Sequence, residues 1–348
     1  MTEHFTIALD AMGGDHAPAC VVDGAEIALR KKPDLRFIFV GDENKIIPLL
    51  EKHGHLAACS SVVHTDEMVE NDVKPSVALR QGRKSSMQLV INEVKAGNAH
   101  AVVSGGNTGA LMAMSKLALR MLPGIKRPAA ASLFPTETGE VVMLDLGANL
   151  EADATELFQF AIMGDAYARG VLGIEHPTVG LLNVGEEDNK GHPEIQEAAD
   201  LIRESDLDLN FQGFVEGNHV PMGKVDVVVT DGFSGNVMLK TAEGTAKLIS
   251  KHMKDAFNSN WATKLSYIIA SKTMSNLKKR LDPRRYNGAM FLGLNGVAVK
   301  SHGGSDAYGV SHAIRTAADL LESNANRLIT EELKLSGMLQ ETKEAADA

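Results

Sequence analysis

The feature that most constrains the fold of this chain is a unit that recurs along it. Each unit is a short run of β-branched and other apolar residues, then a loop of Gly, Asn, Asp and Ser, and usually a helix-like segment. Such units occupy residues 6–18, 36–44, 100–111, 141–149, 179–187, 225–236 and 296–306. Continuous apolar runs are typical of strands buried on both faces. Alternation of strands with helices predicts an α/β fold in which a doubly wound, mostly parallel sheet forms the middle of three α/β/α layers.

Apolar periodicity predicts four of the helices between these strands. They cover residues 76–97, 157–168, 194–205 and 311 to about 321. No Pro- or Ser-rich linker divides residues 1–337. We therefore expect a single α/β unit over these residues, either undivided or built as two lobes, followed by a tail at 338–348.

Composition and charge restrict the class of protein. Of the 348 residues, 44% are hydrophobic and 23% are charged, as in soluble globular proteins. The sequence has neither a run of about 18 apolar residues nor the start of a secretory signal. Cys20 and Cys59 show no CxxC or zinc spacing, which favours reduced thiols in the cytoplasm. The net charge of −10 argues against general nucleic-acid binding.

The Gly-rich loops have the chemistry of anion sites. Glycine lets the backbone approach a ligand closely, and free amides at a helix N-terminus bind anions. Ligands of such sheets bind beyond the carboxyl ends of the strands. The loops at 104–110 (SGGNTGA) and 231–236 (DGFSGN) are therefore predicted to bind phosphate. The GxxxxGK[ST], GxSxG and HExxH motifs are absent, and no GxGxxG follows the first strand, so the common nucleotide, hydrolase and zinc-protease sites are not predicted.

Nine blocks of the sequence resemble those of the PlsX family of bacterial acyl-ACP:phosphate acyltransferases. They stand in the order of that family and reach from residue 6 to about residue 320. The blocks are ALDAMGGDHAP (8–18), SGGNTGALMA (104–113), GIKRPA (124–129), LDLGAN (144–149), QFAIMGDAYA (159–168), LLNVGEEDNKG (181–191), VDVVVTDGFSGNVMLKT (225–241), YNGAMFLGL (286–294) and KSHGGSD (300–306).

The resemblance implies a fold related to isopropylmalate dehydrogenases and phosphotransacetylases. It implies transfer of a long-chain acyl group from acyl-ACP to inorganic phosphate, giving acyl phosphate for phospholipid synthesis, without a metal or other cofactor. It also implies a homodimer in the cytoplasm, peripheral contact with the anionic membrane, and hand-off of the product to a glycerol-3-phosphate acyltransferase.

The residues expected to carry this chemistry lie in the loops that follow the strands. Lys190 is predicted to meet phosphate or the oxyanion, Asn236 to donate to the carbonyl oxygen, and His16 to donate to phosphate or accept its proton. The structural alternatives are a solvated lysine for Lys190, a helix cap for Asn236 and a capping cluster for the loop of His16. Predicted substrate-binding residues are Asp10, Gly13, Gly14, Asp15, Ser104, Asn107, Thr108, Asn149, Glu186, Asp231 and His302.

Residues 247–285 reverse the charge of the chain, with ten Lys or Arg against two Asp. Within this segment, Trp261, Leu265 and Ile268 have the i, i+4, i+7 spacing of one helix face. Tryptophan favours membrane interfaces, and basic amphipathic helices bind anionic lipid. We predict a protruding helical segment that contacts membrane or acidic ACP through these three residues together with Lys264 and Lys272. Packing of the apolar face against a partner subunit is the alternative.

Three other functions remain open. A phosphate acetyltransferase-like enzyme would use short acyl-CoA in place of acyl-ACP. A decarboxylating dehydrogenase of the isopropylmalate type would need a metal held by aspartates and a nicotinamide site. A non-catalytic membrane scaffold for lipid synthesis would bind membrane without forming acyl phosphate.

Overall fold

The computed structural model describes residues 4–280 and 282–336, with eleven strands in one sheet. The strands are β1 Thr6–Asp10, β2 Arg36–Gly41, β3 Ser60–His64, β4 Ala101–Ser104, β5 Ala129–Pro135, β6 Glu140–Leu144, β7 Thr178–Asn183, β8 Asn210–Glu216, β9 Val227–Val229, β10 Ala289–Leu292 and β11 Val297–Lys300. Their order across the sheet is β3-β2-β1-β4-β11-β10-β5-β6-β9-β7-β8.

The helices connect these strands and cover the sheet. They are α1 Ala19–Lys31, α2 Glu43–Leu50, α3 Gly54–Ala58, α4 Pro75–Gln81, α5 Ser86–Lys95, α6 Thr108–Leu119, α7 Ala154–Tyr167, α8 Pro193–Glu204, α9 Gly232–Asn258, α10 Trp261–Ile269, α11 Ser271–Arg280, α12 Ala307–Glu322 and α13 Ala325–Leu335. A π-helical turn follows α7 at Ala168–Leu172, and short 3₁₀ helices cover Val220–Met222 and Pro283–Tyr286.

The sheet consists of two parallel blocks. One block is β3-β2-β1-β4-β11, and the other is β6-β9-β7-β8. Between them, β10 runs antiparallel to both β11 and β5, and β5 runs antiparallel to β6. The predicted mostly parallel α/β sheet is confirmed, and each apolar run predicted as a strand forms one. The antiparallel centre and the strands β3, β5, β8 and β10 were not predicted.

Alternation along β1 shows why the fold has three layers. Ile7 and Leu9 belong to one buried cluster, whereas Ala8, between them, belongs to another. Successive side chains of a strand point to opposite faces, so the sheet is buried on both sides. The first cluster contains residues of α1, α7, α8, α12 and α13, and the second contains residues of α4, α5 and α6.

The predicted helix at 76–97 is two helices. The α4 helix ends at Gln81, and Gly82 follows it as the C-cap. The α5 helix begins after Ser85, whose hydroxyl accepts a hydrogen bond from the amide of Gln88 at 3.3 Å. A serine cap in mid-sequence starts a new helix, and apolar periodicity does not reveal it. The other three predicted helices correspond to α7, α8 and α12, with α12 starting earlier than predicted because Asp306 caps it.

The α9–α11 segment is largely exposed. Among the 27 residues of α9, only Gly232 and Gly235 are buried, and α10 buries none. The α10 helix packs mainly on α9 and α11. No helix within residues 4–280 and 282–336 is long and apolar enough to span a bilayer. The predicted tail at 338–348 lies outside the described residues.

Candidate active site

Three neighbouring strands of the first block bring polar residues to one edge of the sheet. Asp10, Ser104 and Lys300 are the last residues of β1, β4 and β11. Lys300 pairs in register with Ser104, and Leu9 pairs with Val103. The loops that leave this edge, residues 10–15, 104–107 and 300–305, form the first loop cluster.

A buried polar pair supports the first loop cluster. The hydroxyl of Ser104 donates to a carboxylate oxygen of Asp10 at 2.6 Å and accepts the amide of Gly106 at 3.1 Å. Burial raises the pKa of Asp10, although hydrogen bonds from Ser104 and other donors act in the opposite direction. Ser104 and Asp10 therefore shape the loops, and the hydroxyl hydrogen of Ser104 is already committed.

Glycines bring the three loops of this cluster close together. A Cβ at Gly13 would lie 2.5 Å from a carboxylate oxygen of Asp10 and 2.8 Å from the amide of Gly106. Gly14 has φ of +113°, which side-chain-bearing residues rarely adopt. The amide of Asp15 donates to the carbonyl of Gly303 at 2.9 Å. Only glycine fits at positions 13 and 14 without moving these loops.

Lys300 is a charged residue of this cluster that the sequence analysis missed. Its ammonium group donates to the carbonyl of Gly105 at 3.2 Å and to the carbonyl of Ser301. Burial lowers the pKa of Lys300 to about 8, against the opposing effect of Asp10 and Asp15. The available signal was a lysine that ends a buried apolar strand, which is an unusual position for this residue type.

The other predicted residues of this cluster differ in the hydrogen bonds that their side chains make. Asn107 caps α6 by accepting the amide of Ala110 at 2.9 Å, and its side-chain amide holds the carbonyls of Asn71 and Val73. His16 and Thr108 are exposed, and no side-chain hydrogen bond of either occurs within the described residues. The ring nitrogen Nδ1 of His302 accepts the amide of Gly304 at 3.1 Å.

The second block forms a similar edge. The loops after β6, β9 and β7, residues 145–149, 230–236 and 183–191, form the second loop cluster. Its centre is Asp145, a buried residue that the sequence analysis did not select. The Asp145 carboxylate accepts four backbone amides at 2.7–3.1 Å and the side-chain amide of Asn149 at 2.9 Å. Burial raises the pKa of Asp145 despite these bonds.

Asn149 and Asp231 hold the second cluster in shape. The side-chain amide of Asn149 also donates to the carbonyl of Pro128 at 2.7 Å. The backbone carbonyl of Asn149 accepts the amide of Gly232 at 2.8 Å. Asp231 caps α9 by accepting the amide of Ser234 at 2.8 Å. Both predicted residues therefore make structural contacts within the cluster.

Asn236 lies exposed on the first turns of α9. A Cβ built on Gly147 would lie 3.5 Å from the Cβ of Asn236, so the residue stands directly beside the loop that follows β6. Its side-chain amide has no hydrogen bond within the described residues. A donor that is positioned by a helix and left unpaired is available to a ligand.

Lys190 ends the loop that follows β7. Its backbone carbonyl accepts the side-chain amides of Asn183 and Gln196, each at 3.1 Å, and these bonds fix the loop. The ammonium group is exposed and makes no ion pair among the described residues. Glu186, in the same loop, is instead engaged by His219 at 2.9 Å and by Lys224 at 3.2 Å. The hydrogen bond from Lys224 lowers the pKa of Glu186.

The α9 helix connects the two loop clusters. Lys240 lies one helical turn after Asn236, on the same side of α9. Burial lowers the pKa of His302, and the charge of Lys240 lowers it further. The charge of Lys240 also lowers the pKa of Lys300. Such effects between charges extend over about 10 Å. The first turns of α9 therefore lead from the second loop cluster towards the charged groups of the first.

Among the described residues, the two loop clusters do not bring together a group of metal ligands. Within the described residues, the group of His and acidic side chains that converges closely enough for an ion is Asp42, His64 and Asp66. This group lies at the ends of β2 and β3, and Asp42 already caps α2 and pairs with Lys45 at 3.4 Å. The carboxylates of Asp10, Asp145 and Asp231 are engaged by hydrogen bonds, and the two loop clusters also present amides, hydroxyls and cations, which suit an anion.

Comparisons with known proteins show which sequences this chain resembles. The model of the family described as "Fatty acid synthesis protein" matches residues 5–328. The phosphate acyltransferase of Rhodospirillum centenum is 59% identical, covering 99% of this chain and 97% of that protein. The phosphate acyltransferase of Parvibaculum lavamentivorans is 54% identical, covering 97% and 94%.

Solved structures confirm the phosphotransacetylase-like fold. A phosphotransacetylase from Streptococcus pyogenes has a TM-score of 0.61 at 20% identity, covering 93% of this chain and 96% of that chain. A branched-chain phosphotransacylase from Enterococcus faecalis has a TM-score of 0.58 at 15% identity, covering 92% and 99%. Together with the family match and the full-length relatives, these findings show that the chain belongs to the fatty acid synthesis protein family of phosphate acyltransferases, the PlsX family.

Proposed function

We propose that this protein transfers a long-chain acyl group from an acyl-ACP thioester to inorganic phosphate, giving acyl phosphate and free ACP. The observation that carries the proposal is that α9 leads from the second loop cluster towards the first. The first cluster offers cations and close glycine backbone, and the second offers the amide of Asn236, which has no hydrogen bond within the described residues. This arrangement suits a phosphate anion beside a polarised carbonyl.

Phosphate binds at the first loop cluster in this proposal. Lys300 supplies the positive charge, with His302 and Lys240 nearby. A charge-assisted hydrogen bond contributes about 1.5–3 kcal/mol. Holding phosphate in place makes its attack on the thioester effectively unimolecular.

The acyl carbonyl binds at the second loop cluster. The amide of Asn236 donates to the carbonyl oxygen, and the ammonium group of Lys190 stabilises the negative charge that develops there. Both groups are exposed and unpaired within the described residues, so the substrate displaces no protein partner.

The reaction is a direct displacement. An oxygen of hydrogen phosphate attacks the thioester carbon, the new C–O bond forms, and the C–S bond breaks. The phosphate proton ends on the departing ACP thiolate, and His16 is the proposed carrier. Neither cysteine suits an acyl-enzyme, because burial raises the pKa of Cys20 to about 11 and also raises the pKa of Cys59.

The α9–α11 segment supports a peripheral contact with the anionic membrane on the cytoplasmic side. Trp261, Leu265 and Ile268 are 79%, 51% and 67% exposed, and Lys264 and Lys272 are exposed beside them. In this proposal, acyl phosphate passes at the membrane to a glycerol-3-phosphate acyltransferase. The exposed apolar residues Leu248 and Ile249 of α9 support packing of a second copy as a homodimer.

Trapping of the product tests the proposal. Purified protein is mixed with palmitoyl-ACP and phosphate in the presence of EDTA, and hydroxylamine converts acyl phosphate into a hydroxamate. We expect hydroxamate that depends on both protein and phosphate, with a phosphate-free reaction as the control for direct reaction of the thioester. Full activity with acetyl-CoA and none with palmitoyl-ACP would instead establish the acetyltransferase alternative. Membrane binding without any hydroxamate would establish a scaffold.

A further inference from the structure

Four large apolar side chains surround the second loop cluster and are exposed. Leu150, Val184, Phe233 and Val237 have exposed fractions of 74%, 81%, 63% and 51%. Each lies in, or just beyond, a loop that leaves the end of β6, β7 or β9. Scattered single apolar residues on a surface are ordinary, but a group of them around one site indicates a binding surface.

Strand register brings these four residues together. Leu144 pairs with Val229, and Val229 pairs with Leu181, so β6 and β9 end at one level and β7 continues beyond it to Asn183. Val184 follows β7 at the level of the start of α9. The hydrogen bond from the amide of Gly232 to the carbonyl of Asn149 joins the backbones immediately before Phe233 and Leu150.

Two of the four residues, Phe233 and Val237, lie beside Asn236 on α9. Phe233 and Val237 are four residues apart on α9 and share one face of the helix. Asn236 precedes Val237 directly and lies one turn after Phe233. The group that is proposed to bind the carbonyl oxygen is therefore flanked by apolar side chains.

We infer that Leu150, Val184, Phe233 and Val237 bind the acyl chain of the thioester substrate, from its first methylenes onward. The inference rests on the proposed function. In the proposed function, the amide of Asn236 donates to the carbonyl oxygen of the thioester. The acyl chain is bonded to the same carbonyl carbon, so its first methylenes must lie against the residues beside Asn236. The structure places aliphatic and aromatic carbon on either side of Asn236 along α9, which favours an apolar chain through the hydrophobic effect.

This surface is separate from the proposed membrane contact. From Val237 to the end of α9 at Asn258 the helix extends for about 32 Å, at 1.5 Å per residue. Trp261 and Leu265 lie beyond that end. Substitutions at Phe233 or Val237 therefore test the acyl chain independently of lipid.

Chain-length dependence provides the test. We would measure kcat/KM with butyryl-, octanoyl- and palmitoyl-ACP for wild type, Phe233→Ser, Val237→Ser and the control Leu117→Ser. Leu117 is 72% exposed on α6 and belongs to neither loop cluster. Each methylene that is buried contributes about 0.8 kcal/mol, which corresponds to roughly a fourfold change in kcat/KM.

We expect wild type and Leu117→Ser to gain kcat/KM steeply from butyryl to octanoyl substrate. Phe233→Ser and Val237→Ser should lose roughly tenfold with octanoyl and palmitoyl substrate and about threefold or less with butyryl substrate. The KM for phosphate should remain unchanged in both variants.

Other outcomes separate the competing explanations. If wild type forms no acyl phosphate from any acyl-ACP, the proposed function fails and the inference fails with it. If wild type is active but the variants keep its chain-length profile, the inference alone is overturned. If sedimentation shows that the variants lose a dimer while their profile stays steep, the surface is a subunit interface and the acyl-chain assignment is wrong.

Discussion

The hydroxyl of Ser104 donates a 2.6 Å hydrogen bond to the buried carboxylate of Asp10, joining the ends of β1 and β4 beneath the first loop cluster. Burial alone makes the ionised form of Asp10 costly, and the resulting pKa is raised. The same hydroxyl also accepts the amide of Gly106 at 3.1 Å. One side chain therefore links a carboxylate to the glycine loop above it.

Replacing Ser104 should destabilise the fold. Ser104→Ala leaves the carboxylate of Asp10 and the amide of Gly106 without this partner in a buried place. We expect the free energy of unfolding to fall by about 1–3 kcal/mol, measured by urea denaturation. The control is Thr108→Ala, an exposed residue at the start of α6, which should change stability by less than about 0.5 kcal/mol. An unchanged midpoint for Ser104→Ala would contradict the assignment of this pair as a support.

Lys190→Ala should impair catalysis and leave stability unchanged. The side chain is exposed and unpaired among the described residues, so its removal breaks no structural contact. Loss of one charge-assisted contact of about 1.5–3 kcal/mol corresponds to a roughly 10- to 150-fold decrease in kcat/KM. Lys116→Ala, an exposed lysine on α6, is the matched control. A near-wild-type rate for Lys190→Ala would identify Lys190 as an ordinary surface residue.

Activity should fall at alkaline pH because Lys300 loses its charge. Burial lowers the pKa of Lys300 to about 8, so the ammonium form dominates below that pH and disappears above it. If this charge holds phosphate, kcat/KM for phosphate decreases by roughly tenfold per pH unit beyond pH 8. Lys300→Arg keeps its charge because the guanidinium pKa exceeds about 12.

The arginine variant therefore separates charge from other alkaline effects. We expect Lys300→Arg to be slower at pH 7, since its planar group replaces a compact ammonium, but to lack the decrease centred near pH 8. A pH profile between about 6 and 10 checks this. The same falling limb in both proteins would assign it to another group.

Vesicle sedimentation tests the membrane contact. Wild-type protein should bind anionic vesicles, with binding that weakens as salt increases. Trp261→Glu combined with Leu265→Glu places two carboxylates on the exposed face of α10, so binding should be lost. Leu117→Glu is the control for an added surface charge, and gel filtration checks that subunit assembly is unchanged. Equal sedimentation of the double variant and wild type would place the membrane contact elsewhere.

The sequence predicts the parts of this fold that depend on local pattern. Buried apolar runs such as 101–104 and 227–229 are strands, and the loops after them build both clusters. The β8 strand mixes exposed and buried positions at the sheet edge, so its pattern resembles a loop. The reversal of direction at β10 depends on which strands become neighbours, and no local pattern records that.

The candidate site also contains residues that the sequence predicts and residues that it does not. The sequence predicts glycine loops and helix caps such as Asp231, because the groups to which they form hydrogen bonds lie close to them in the sequence. Lys300 and Asp145 were missed because their importance comes from burial by distant segments, which lowers the pKa of the first and raises that of the second. By sequence alone, Lys190 and Lys300 look alike, although one is exposed and the other is enclosed.

The place of β11 between β4 and β10 has a consequence for how the protein is made. The first block receives β1 to β4 from the start of the chain, but its fifth strand is residues 297–300. While the ribosome is still translating the second block, β4 keeps an unpaired edge of backbone N–H and C=O groups. Such an edge invites wrong pairing with other chains. Nascent chains of this protein should therefore need protection until residues 297–300 have been synthesised, and the first loop cluster is complete only then.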